Sequence, residues 1–178
     1  LNYPPQQPAL KRNCEGLLNL RSATCARGGG GGGGANTTQR KDRHMARIPE
    51  EVQEFLSGKM AWVATATPDG MPNATPKGSV QMIDDEHVVF ADLFSRKTRA
   101  NLQANPQVAI TVADEATFKG YQIKGSAEML ESGPLFEQMA EGLKKAPMEL
   151  PPLQYVVHIT VESVYDQSVG PEAGKQIA

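Results

Sequence analysis

The stretch 94-FSRKTRANLQANPQVAITVA-113 joins a short helix directly to a strand. Ser95 suits a helix start, and Pro106 forbids continuation through the residue before it. Beyond the proline, Val108, Ile110 and Val112 alternate with smaller or polar residues, the period of a half-buried strand. The helix also carries a conflict. Arg96, Lys97 and Arg99 crowd its first turn, where exposed N–H groups and the helix dipole favour acids. Either these cations face solvent, at a cost of about 0.3–1 kcal/mol each, or they face an anion. Ser95 and Thr98 add hydroxyls to such a cradle.

Working outward, the remaining pattern is dominated by strands. Upstream, 61-AWVATAT-67 alternates and ends at the turn 68-PDG-70. An extended segment over 71–83 follows, in which Pro72 and Pro76 point to an edge or a bulge. The turn 84-DDE-86 leads to a strand at 87–92. Downstream, 119-KGYQIKGSAEML-130 places Tyr121, Ile123 and Ala127 on one side, and 154-QYVVHITVESVY-165 is the last strand. Two further helices are predicted. One spans about 49–58, with Pro49 at its first position and Ile48, Val52, Phe55 and Leu56 on one face. The other follows Ser132 as cap, with Leu135, Phe136, Met139, Ala140 and Leu143 on one stripe. About six strands with short connections predict a mostly β protein, a compact, six-stranded, mostly antiparallel barrel with short flanking helices. No GxGxxG follows a strand, and neither a P-loop nor GxSxG is present.

The 178 residues have a formal charge of −2, unevenly spread. Residues 1–44 hold seven Lys/Arg against two Asp/Glu, and residues 45–178 hold eleven against eighteen. The acidic larger part argues against nucleic acid as a partner. Both cysteines, Cys14 and Cys25, lie in the first segment, and His44, His87 and His158 are scattered, so no metal-ligand spacing emerges. No apolar run approaches the roughly 20 residues of a membrane span, and the expected location is cytoplasmic. Residues 1–44 contain the seven glycines Gly28–Gly34, which bury no side chains to offset their ordering. They are expected to be a disordered leader or a start placed too far upstream, with Met45 opening the folded domain, 45–178.

The order of AxxATxxPDGxPxxxP over 61–76, RKTRANLQANPQVAITV over 96–112 and YQIKGSAEM over 121–129 resembles the FMN-binding split barrels related to pyridoxamine 5′-phosphate oxidase. The closing GPEAGK adds to the resemblance, which covers 48–178. It implies an FMN phosphate held by Lys97 and Thr98 beside Ser95 and Arg96. It implies that Thr75, Pro76, Lys77 and Gly78 contact the flavin and ribityl chain, and that Asp92, Leu93 and Phe94 lie near the ring. It further implies a homodimer with two flavins at the interface, Lys175 reaching across from the partner. The oxidase's basic C-terminal clamp for pyridoxal phosphate has no counterpart in 170-GPEAGKQIA-178, so that substrate is not expected.

No side chain in 45–178 stands out as a catalytic acid, base or nucleophile. Redox work would belong to the cofactor, with the protein supplying binding and electrostatics. An FMN-dependent oxidoreductase or electron carrier is the first reading. A non-catalytic flavin-binding or storage protein is the second. A deazaflavin would need a longer cationic groove, and a haem would need an axial ligand, for which His158 is the one candidate.

Overall fold

The computed structural model describes residues 45–178; the expected leader over 1–44, with both cysteines, lies outside them. The chain runs α1 (Glu50–Leu56), β1 (Ala61–Ala66), β2 (Pro72–Lys77), β3 (Gln81–Met82), β4 (His87–Asp92), α2 (Arg96–Ala104), β5 (Gln107–Asp114), β6 (Lys119–Leu130), α3 (Pro134–Lys144) and β7 (Tyr155–Asp166). All strand pairs are antiparallel. They form one sheet in the order β2-β1-β5-β6-β7-β4-β3.

The two edges of this sheet, β2 and β3, are consecutive in sequence and separated only by Gly78, Ser79 and Val80. The sheet therefore curls until one bent segment serves both edges, giving a split barrel. This corrects the single extended segment expected over 71–83: it divides into two strands, making seven, or six if the bent segment counts once. Pro72 and Pro76 sit on the edge strand β2, where a missing N–H donor is tolerated.

The barrel interior is filled by alternate residues, including Val63, Phe90, Ile110, Val112, Ile123, Val157 and Ile159. Ile48 just before α1, and Val52 and Leu56 within it, add to this core, and Gly58 follows the helix with a φ of +69° that suits glycine. β4 is buried on both faces: Val88 and Phe90 point inward, while Val89 and Ala91 meet α3 through Met139 and its apolar neighbours. α3 starts one residue later than a Ser132 cap would place it. Gly133 occupies the cap position at φ +100°, with no side-chain cap bond.

β7 changes its inward face partway along. Lys124 pairs with Ser163 and Gly125 with Val161, so Glu162 is the extra residue of a bulge. The inward set moves from Tyr155, Val157, Ile159 and Val161 to Val164. Gly125 lies so close to β7 that a Cβ there would stand 2.2 Å from the Thr160 carbonyl oxygen.

Candidate functional site

α2 begins where β4 ends, and its start is tied down from below. Asp92, the last residue of β4, is fully buried. Its Oδ1 accepts the Ser95 N–H at 2.9 Å and lies 3.3 Å from Lys77 Nζ, and its Oδ2 accepts the Tyr155 hydroxyl at 3.0 Å. Tyr155 also reaches the Ser95 carbonyl oxygen at 3.3 Å. Burial, and then the adjacent Asp92 carboxylate, push the Tyr155 phenol well above its usual range, so it stays protonated and donates. β2, β4, β7 and α2 thus converge on one carboxylate.

Ser95 occupies the cap position of α2, but its hydroxyl makes no cap bond. It accepts instead from Lys77 Nζ at 2.5 Å. The first turn contains no acid, and Arg99 N–H is bonded to the Ser95 carbonyl oxygen. The preceding N–H groups are thus left without the usual hydroxyl or carboxylate partner. Arg96 and Lys97 are exposed around them, and neither forms an ion pair among the described residues. Arg99 is committed elsewhere: its guanidinium lies 5.3 Å from the Tyr155 ring centroid and 3.5 Å from Glu131.

The opposite face of α2 is polar yet buried. Thr98 is fully buried, its hydroxyl 3.3 Å from Asn73 Nδ2 and 3.4 Å from the Thr75 hydroxyl. Asn101 donates to Thr65 Oγ1 at 3.1 Å. These bonds dock the helix onto β1 and β2, with Leu102 as its buried apolar residue. The Thr98 hydroxyl thus lies against β2.

The other expected site residues divide by face. Along β2, Asn73, Thr75 and Lys77 are half-buried, while Pro72, Ala74 and Pro76 are exposed. Thr75 and Lys77 thus belong with α2, and Pro76 stands beside Trp62 on the outer surface. Lys77 Nζ is also 5.5 Å from the Phe90 ring centroid, and its side chain is only 12% exposed. Gly78 is exposed and leads into the link between the sheet edges. Asp92 is enclosed beneath the turn that carries Leu93 and Phe94, and Phe94 is largely exposed.

Lys175 is remote within the chain. Its carbonyl accepts the Asp166 N–H at the far end of β7 from Tyr155, and its ammonium pairs with Glu172. His158 stacks on His87 with ring centroids 4.8 Å apart. Burial, and then His87, hold the His158 imidazole below its usual range. No group of three His, Cys, Asp or Glu residues able to hold a metal occurs among the described residues. No described helix is long and apolar enough to cross a membrane.

The contributors not singled out from sequence include Tyr155, Asn73 and Asn101. Asn101 had a local signal, because Leu102 is the sole large apolar residue of α2 and its neighbours must share the inward face. Tyr155 and Asn73 come from distant strands and carry none.

Comparison with known proteins follows the same outline. The family model described as pyridoxamine 5′-phosphate oxidase matches residues 48–168. Uncharacterized protein MJ0282 of Methanocaldococcus jannaschii is 35% identical over 136 residues, 75% of this chain and 90% of that protein. The crystal structure of HupZ from Group A Streptococcus superposes with a TM-score of 0.63 at 28% identity, covering 71% of this chain and 99% of that one. An FMN-binding protein from Syntrophomonas wolfei has the same fold, with a TM-score of 0.60 at 17% identity over 67% of this chain and 88% of that one. The chain belongs to the pyridoxamine 5′-phosphate oxidase family.

Proposed function

We propose, from membership of this family, that the chain binds FMN and serves as a flavin-dependent oxidoreductase or electron carrier. The observation that carries the reading is the start of α2. Its cap hydroxyl is turned away to Lys77, its first turn holds no acid, and Arg96 and Lys97 stand exposed beside it. A phosphate there gains backbone N–H donors, the helix dipole and two cations together.

FMN would supply the electron chemistry. The chain's own residues hold the phosphate and orient the ring. Backbone N–H groups and Lys97 take the phosphate, with Arg96 beside them. Thr75 and Lys77 line the adjoining strand, while Leu93 and Phe94 close the turn. Lys77 is balanced by Asp92, so the charge offered to a ligand comes mainly from α2.

We further propose a homodimer whose second copy completes each flavin site, with Lys175 reaching across. The outer surface of β1 and β2 supports this. Trp62, Ala64, Pro72, Ala74 and Pro76 are exposed and uncharged there, a composition suited to a protein interface.

Titration of the full chain with FMN and riboflavin, followed by flavin fluorescence and absorption, tests the reading. Tighter binding of FMN supports it. Equal affinity for the two flavins removes the phosphate site. A preference for a deazaflavin, or a Soret band with haem, replaces FMN by one of those groups.

A further inference from the structure

We propose that Asp92 is a positioning residue for the phosphate end of this site, acting through Ser95 and never touching the ligand. The inference rests on the FMN reading above and assigns the anchor that keeps the α2 start open.

Three donors converge on Asp92: the Ser95 N–H, Lys77 Nζ and the Tyr155 hydroxyl. The side chain is fully buried, so the carboxylate is used up within the protein. Its effect reaches the surface by two routes. It holds the Ser95 backbone in the extended conformation that begins α2. It also holds Lys77 where that ammonium draws the Ser95 hydroxyl away from the helix. A serine at a helix start ordinarily caps the N–H groups two or three residues on. Here that hydroxyl is engaged, and those groups stay available to an outside acceptor.

Charge and position predict opposite signs. Asp92 is an anion near the proposed phosphate, so removing its charge should tighten FMN binding if only Coulomb attraction matters. If Asp92 positions the helix start, the same change should weaken FMN binding. An amide offers one acceptor oxygen where three donors meet, and it leaves Lys77 without its counter-charge.

Asp92→Asn in the full chain is the test, read by FMN and riboflavin affinities and by amide hydrogen exchange at Ser95. The expected result is a loss of about 10-fold or more for FMN relative to riboflavin, with exchange at Ser95 accelerated by a similar factor. Asp92→Asn combined with Lys77→Met removes the pair together and guards against a singly buried charge. It frees the Ser95 hydroxyl to cap α2 and should lower the FMN preference likewise. Unchanged or tighter FMN binding in both variants overturns the proposal, as does unchanged exchange at Ser95. If the wild-type chain shows no preference for FMN, the phosphate reading fails, while exchange at Ser95 still decides whether Asp92 holds the helix start.

Discussion

The Ser79 hydroxyl stands in for a backbone rung opposite Ala91. It donates to the Ala91 carbonyl oxygen at 3.2 Å and accepts the Ala91 N–H at 3.1 Å. The pairing of Gln81 with Val89 and Met82 with Val88 stops two residues short of Ser79. The side chain thus continues the edge of the sheet after the backbone has turned toward β2. Ser79→Ala should leave both polar groups of the buried Ala91 without their partner. A loss of roughly 1–3 kcal/mol is expected, measurable by urea denaturation, and Ser79→Thr should restore part of it.

Gly125 tests the contact between β6 and the bulge of β7. A Cβ there would meet the Thr160 carbonyl oxygen at 2.2 Å and Ile159 Cγ2 at 3.0 Å. The first neighbour is backbone in a paired strand and has little freedom to retreat. Gly125→Ala should cost the upper end of the roughly 1–3 kcal/mol typical of overpacking, or more. Thermal unfolding of the variant is the check.

Lys97→Ala separates ligand binding from stability. Lys97 is exposed and sits at the end of the helix that disfavours cations. Its removal should leave the melting temperature unchanged or slightly raised. FMN affinity should fall by about 10-fold or more, with riboflavin affinity little altered. Equal losses for both flavins would make Lys97 a shaper of the site without a phosphate contact.

The stacked histidines predict a pH dependence. The His158 value is lowered in the folded chain, by burial first and by His87 second, against the opposing pull of Glu128 and Asp84. A group with a depressed folded value gives its full stabilisation above the unfolded value, about 6.5. That contribution is lost as pH falls toward the folded value, because the unfolded chain binds the proton first. The melting temperature should therefore decline between pH 7 and 5.5. His158→Gln should flatten this slope, and an identical slope in the variant would remove His158 as its source.

Ala64 lies among the exposed, uncharged residues of the outer β1–β2 surface. Ala64→Glu should dissociate the proposed dimer into folded monomers, because a carboxylate at the centre of such an interface would be desolvated without a partner. Sedimentation velocity at micromolar concentration is the measurement. An unaltered oligomer in the variant would place the interface elsewhere.

Much of the architecture was legible from local periodicity. Val108, Ile110 and Val112 alternate in sequence and all point into the barrel, and Leu135, Phe136, Met139 and Leu143 form the stripe that packs on β4 and β7. The division of the segment 71–83 was not legible. Its bend at Gly78–Val80 is set by pairing with two strands that are far apart in the sheet order, and no local pattern encodes that. The cap of α3 shows a similar limit: Ser132 has the right chemistry, yet the left-handed backbone falls at Gly133.

The candidate site was legible as a concentration of charge, not as a geometry. The basic start of α2 was visible in Arg96, Lys97 and Arg99, but their division between solvent and Tyr155 required the fold. Thr98, four residues before Leu102, shares its buried face, and no local pattern names its neighbours Asn73 and Thr75. The burial of Asp92 depends on Tyr155, sixty-three residues away, a separation across which spacing conveys nothing.

The bent segment 72–82 also bears on how this molecule behaves in a crowded solution. Sheets with long strands invite foreign strands to add at an open border, the first step of many fibrils. Here the twelve-residue strands β6 and β7 are both interior. One border is the six-residue β2, with two of its donors deleted by proline, and the other is the two-residue β3. A passing strand finds few consecutive donors and acceptors to copy.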